Sequence, residues 1–239
     1  MMRLLLALFL ALSPTAALAA DYGNWAVAIV AGDDHAHDGD HSEVFDNARK
    51  KLAGAFAKIG FSPANMIQFS VDPDAASQKS SITGFSGGLW DLSERAPGGC
   101  LIYFTSHGTP GGIVVDQSIL SPDQMGAIVN NSCGSKPSVI VMSACFSGQF
   151  VPALKGDNRV VITAAAPDRT SFGCGALNTY TYFDDCFLRA LPMADGFARL
   201  GDLVKECVAF REQQTGATPP SNPQVSVGPG AADLTFPKS

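Results

Sequence analysis

Positive charge is scarce in this chain: 16 lysines and arginines stand against 22 aspartates and glutamates, a formal net charge of −6 over 239 residues. That deficit, with no basic cluster to offset it, argues against nucleic acid as a partner, because phosphate binding needs Lys and Arg. Charged residues of both signs reach only 16% while apolar residues reach 46%, the reverse of a disordered composition. Histidine is rarer still, with four in all, three of them between positions 35 and 41 and the fourth at His107. No Cys-x-x-Cys pair is present to support dithiol redox chemistry, and no His-Glu-x-x-His to hold zinc. Past the first twenty residues no apolar run is long enough to span a bilayer. There is no internal repeat and no low-complexity segment.

What is present begins with a leader. Arg3 precedes an apolar run over residues 4–12, followed by Pro14 and then Ala17-Leu18-Ala19. A basic start, a short hydrophobic region and a small-x-small site are the anatomy of a signal peptide, and the run is too short for a lasting membrane anchor. We therefore expect residues 1–19 to be removed on export to a periplasmic or secreted location, leaving no stable membrane anchor. Residues 20–239 are then expected to form one domain, a length that suits a single core.

Six cysteines in an exported chain point to disulfides. If Cys145 stays free, five remain and at most two bridges can form. Cys100 at the start of a strand and Cys133 at the end of the helix before the next strand make one plausible pair. Cys186 and Cys207, on successive helices, make another. Connectivity itself is not readable from sequence.

Short β-branched runs alternate with helical periodicity along the chain. Strands are expected at 25–31, 66–69, 100–104, 138–142, 160–164 and 224–227, with a small hairpin of 113–115 against 118–120. Helices are expected at 42–59, 80–95, from Ser121 onward, 177–191 and 196–213. The third starts well, with a capping hydroxyl at Ser121, Pro122 at the first position and Gln124 at the third. Alternation of this kind gives an α/β fold with a mainly parallel sheet covered on both faces.

Ligands of parallel sheets bind beyond the carboxyl ends of the strands. One expected strand runs into Thr105-Ser106-His107-Gly108 and the next into Ser143-Ala144-Cys145-Phe146-Ser147-Gly148. A single right-handed crossover joins them, so they are expected as neighbours roughly 5 Å apart. His107 then meets Cys145 at the reactive edge, the arrangement in which an imidazole activates a thiol nucleophile. Gly108 lets the chain turn sharply after the base, and its N–H with that of Cys145 are natural donors to an oxyanion. Gly111, Gly112 and Gly148 are expected to keep the site open to a polypeptide.

These two blocks, with the segment 163–174 ending in Ser171-Phe172-Gly173-Cys174, resemble the legumain-like cysteine peptidases, family C13 of the caspase-like clan, in a bacterial-type exported form. The similarity runs in order from about residue 24 to 190. It implies a six-stranded caspase-like fold, a His107–Cys145 dyad with Gly108 beside it, an acyl-enzyme route to peptide-bond cleavage, a polypeptide substrate, and no metal or organic cofactor. It also sets Asp40, His41, Ser143, Asp168 and Ser171 on the substrate side. The chain departs from the family where asparagine would be held. His41 matches a family histidine, but Asp40 stands where an arginine is expected. The family's acidic partner falls nearest Phe183, with Asp184 one position away. A pocket lined by carboxylates would favour Lys or Arg over Asn.

Three other signals carry less. The loop from Asp33 to His41 holds three histidines and four carboxylates, yet lacks the spacing of a known metal motif and reads as a solvated wall of the cleft. The segment 84–88 matches a serine-hydrolase elbow, but a polar stretch precedes it where that motif needs a buried strand. The alternative to an enzyme is a catalytically inactive caspase-like module that binds protein.

Overall fold

The computed structural model describes residues 21–237; the leader expected over 1–19 lies outside the described residues. The chain begins with β1 (Trp25–Ala31), α1 (Val44–Lys58), β2 (Met66–Ser70), β3 (Gln78–Lys79), α2 (Ile82–Arg95) and β4 (Gly99–Thr105). A satellite sheet of β5 (Gly108–Thr109), β6 (Gly112–Val115) and β7 (Ser118–Leu120) follows, then α3 (Pro122–Ser132) and β8 (Ser138–Ser143). The chain closes with α4 (Val151–Leu154), β9 (Arg159–Thr163), α5 (Tyr182–Ala190), α6 (Phe197–Thr215) and β10 (Gln224–Val227).

The main sheet has seven strands in the order β10-β9-β8-β4-β1-β2-β3. All neighbours are parallel except β10, which runs antiparallel to β9. This is the expected α/β architecture with one strand more than the six foreseen. The addition is β3, two exposed polar residues paired with Phe69 and Ser70, which carry no hydrophobic signal. The four central strands β1, β4, β8 and β9 are buried along their whole length, as unbroken apolar runs covered on both faces should be.

Alternation along these strands sends side chains into two cores. Val27, Ile29, Tyr103, Val141 and Ile162 pack beneath α1, α5 and α6. Ala28, Val30, Ile102, Phe104, Ile140 and Met142 pack beneath α2, α3 and α4. The capping box of α3 is complete: the Gln124 N–H donates to Ser121 Oγ at 3.3 Å, and the Ser121 N–H to Gln124 Oε1 at 3.0 Å. Helix α5 starts later than periodicity suggested. Residues 177–181 form a loop, and Thr181 caps the helix by accepting from the Asp184 N–H at 3.0 Å. The elbow-like 84–88 segment lies inside α2. Disulfides join Cys100 to Cys133 and Cys186 to Cys207. The first ties the start of β4 to the end of α3, and the second ties α5 to α6. Among the described residues no helix is long and apolar enough to cross a membrane.

Candidate active site

Strands β4 and β8 are adjacent and parallel, and their last matched pair is Thr105 with Ser143. His107 and Cys145 each follow that pair by two residues, so both lie just past the neighbouring ends of β4 and β8. The Ser106 N–H still bonds the Ser143 carbonyl at 3.1 Å, which carries the strand geometry up to the histidine. Gly108 then packs directly on the cysteine peptide: a Cβ there would lie 1.9 Å from the Cys145 carbonyl oxygen and 3.0 Å from its nitrogen. Only glycine permits that approach, and it makes the Gly108 and Cys145 peptides neighbours.

The imidazole is oriented from two sides. Nε2 of His107 lies 3.0 Å from the His35 carbonyl oxygen. A carbonyl only accepts, so in the neutral ring Nε2 carries the proton and Nδ1 is left as the base. The Phe45 ring from α1 meets the imidazole edge-on at 5.1 Å between centroids. Neither partner was visible in the sequence, one being a backbone group and the other an apolar residue inside a helical stripe.

Cys145 sits in a turn that strains the chain. Phe146, next to it, has φ of +57°, a left-handed conformation that a bulky side chain adopts only when the surroundings impose it. The surroundings here are the segment after β9. The Phe146 N–H donates to the Arg169 carbonyl at 2.7 Å, and the Ala165 N–H donates to Ser147 Oγ at 3.1 Å. The Ser171 N–H donates to Cys145 Sγ at 3.2 Å, with Ser171 Oγ 3.6 Å from the sulfur. Cys174, three residues further on, is the other free thiol. It packs on Ala31, Val44 and Phe45, and burial first, then the nearby Cys145 charge, pushes its pKa up.

Of the residues placed on the substrate side, Ser171 touches the cysteine, and Ser143 is buried at the end of β8. His41 lines a cavity of about 150 Å3 between the β1–α1 loop and residues 70–74. Asp40 is exposed and is not among that cavity's lining. Asp168 is exposed and pairs with Arg169. Asp184 is fully buried, so it is not a wall of an open pocket. The cavity carries Asp33, Asp34, Glu43, Asp46, Asp72 and Asp74 against Lys50 as its one basic residue. Asp33 and Asp34 of its lining pair with His35, whose carbonyl meets the His107 ring. The His35 Nδ1 lies 3.0 Å from Asp33 and 2.9 Å from Asp34, and the Asp33 hydrogen bond, then the Asp34 charge, raise its pKa. These three side chains bring their ligand atoms within 4.8 Å of one another, with the His35 ring already paired to both carboxylates.

Two of the glycines expected to open the cleft do something else. A Cβ on Gly148 would strike Pro167 at 2.7 Å, and one on Gly112 would lie 2.2 Å from the Leu120 carbonyl. Both permit backbone packing beneath the site.

The profile of the Peptidase C13 family matches residues 92–196, the segment that contains both strand-end blocks and the loop to Cys174. No curated protein matches the chain. Among solved structures, caspase-1 from Spodoptera frugiperda is similar with a TM-score of 0.61, over 92% of this chain and 94% of that one, at 13% identity. At that identity the likeness speaks for the fold. Residues 92–196 are thus similar to the Peptidase C13 family, and the fold of the chain is caspase-like.

Proposed function

We propose that the chain is a cysteine endopeptidase in which Cys145 is the nucleophile and His107 its general base. The observation that carries this reading is the matched exit of the two residues from β4 and β8, two positions past the Thr105–Ser143 pair. The sulfur, assisted by the Ser171 N–H, attacks the scissile carbonyl, and Nδ1 of His107 passes the proton to the leaving amine. The Gly108 and Cys145 amides stabilise the tetrahedral oxyanion. Water then attacks the acyl-enzyme with His107 again as base, releasing the second product.

The substrate is a polypeptide with Lys or Arg near the cleaved bond. Glu43 and Asp72, the cavity carboxylates that form no ion pair among the described residues, support this preference through charge pairing. Two disulfides support an oxidising, extracytoplasmic site of action, in line with the expected leader.

Alkylation by iodoacetamide tests the dyad. Cys145 should react rapidly and slow at least tenfold in His107→Ala; a rate indifferent to the histidine would favour an inactive binding module. A peptide library tests the preference. Cleavage after Lys and Arg is expected, and cleavage after Asn with none after Arg would overturn it.

A further inference from the structure

We propose that Asp184 is a positioning residue for the reaction, a carboxylate sealed one layer beneath the dyad that locks the ends of β4 and β8 together. The inference rests on the dyad reading above and adds a residue to it.

Asp184 has no exposed surface. Its Oδ1 accepts from the Tyr103 hydroxyl at 2.7 Å and its Oδ2 from the Thr105 hydroxyl at 2.6 Å. The Asp184 N–H donates to Thr181 Oγ1 at 3.0 Å, and the hydroxyls of Ser143 and Thr181 lie close enough to lower the pKa of the carboxyl group. Hydroxyl groups thus answer the carboxylate where an Arg or Lys would be the ordinary partner of a buried acid. Such a group is a costly filler for a core, so its placement calls for a reason other than packing.

That placement is specific. Tyr103, Thr105 and His107 follow one another at every second position of β4 and its extension. Ser143 and Cys145 do the same on β8, and Thr105 is the register partner of Ser143. Asp184 therefore bridges the rung directly below His107 and Cys145, about 7 Å down the strands by the two-residue repeat. Parallel strands hold each other through backbone bonds, but those bonds run out where the dyad leaves the sheet. One side chain from α5 clasps the last rung of both strands and fixes how the imidazole and the sulfur face each other. Helix α5 is in turn anchored to α6 by the Cys186–Cys207 disulfide. Because it is buried, Asp184 acts through its neighbours and does not meet the substrate.

A double-mutant cycle on Cys145 alkylation by iodoacetamide tests this in the full chain. Asp184→Ala should slow alkylation at neutral pH about tenfold, the scale of a small misplacement of reacting groups. The pH dependence should approach that of a free thiol, rising with pH through the neutral range. In a His107→Ala background the same substitution should change the rate less than about twofold, because a positioning residue acts through the pair it positions. An equal factor in both backgrounds, or no effect in either, overturns the proposal. If Asp184→Ala does not fold, Thr105→Val removes the 2.6 Å bond and enters the same cycle with the same two outcomes. A wild-type rate that ignores His107 would instead defeat the dyad itself. A wild-type rate that depends on His107 while Asp184 is silent defeats only the clasp.

Discussion

Gly108 rests against the peptide of Cys145 so closely that a single methyl group on it would lie 1.9 Å from the cysteine carbonyl oxygen. The obstacle is backbone, which cannot rotate away as a side chain would. Gly108→Ala must therefore push the two strand ends apart and carry the imidazole and the oxyanion donors with them. Peptidase activity should fall at least about 100-fold, while far-ultraviolet circular dichroism stays that of the wild type. Turnover and spectrum measured on one preparation check both halves.

Two donors of Ser171 face the sulfur. The backbone N–H lies at 3.2 Å and the hydroxyl at 3.6 Å, and the Ser171 carbonyl oxygen is a third neighbour at 3.7 Å. Ser171→Ala keeps the first and removes the second. Its alkylation rate should stay within about threefold of wild type; a larger loss would move the important contact from the main chain to the side chain.

Burial raises the Asp184 pKa, against the hydroxyls that lower it. The folded chain then keeps this proton to higher pH than the unfolded chain does. Between the unfolded value of about 4 and the higher folded one, the native state binds more protons, so this group's contribution to stability declines as pH rises. Asp184→Asn does not titrate. Its stability relative to wild type should therefore improve from pH 4 upward, even as its reactivity drops, and urea melts across that range would show it. A relative stability that falls with pH would contradict the burial of an acid there.

The Cys186–Cys207 bridge closes a separation of 21 residues. Replacing both cysteines with alanine should cost about 3 kcal/mol, chiefly by freeing the unfolded chain, and lower the melting temperature accordingly. A melting curve with and without reductant is the direct comparison.

Much of this architecture was legible in the sequence because burial writes itself into composition. The unbroken apolar runs of β1, β4, β8 and β9 announce strands covered on both faces, and Ser121 with Gln124 announces a helix start. The placement of His107 and Cys145 was legible because parallel strands expose their carboxyl ends, and both follow the Thr105–Ser143 pair there. What escaped is what depends on tertiary pairing. The His35 carbonyl that orients the imidazole is common to every residue type and leaves no trace in the letters. Asp184 was read beside a substrate pocket because it falls one position from where the resemblance sets the family's acidic partner. Its burial depends on Tyr103, Thr105 and Ser143, hydroxyls that only the folded sheet gathers. The start of α5 was misjudged because Leu177, fully exposed, imitates the apolar stripe of a helix it precedes.

The Thr105–Ser143 register also sets where this molecule can tolerate change in length. A residue inserted between the satellite sheet and α3, past Leu120, leaves the Thr105–Ser143 pair and the Gly108 contact with Cys145 untouched. A residue gained or lost inside either strand turns His107 or Cys145 to the opposite face. A deletion scan should find its boundaries at the two strands and at Gly108.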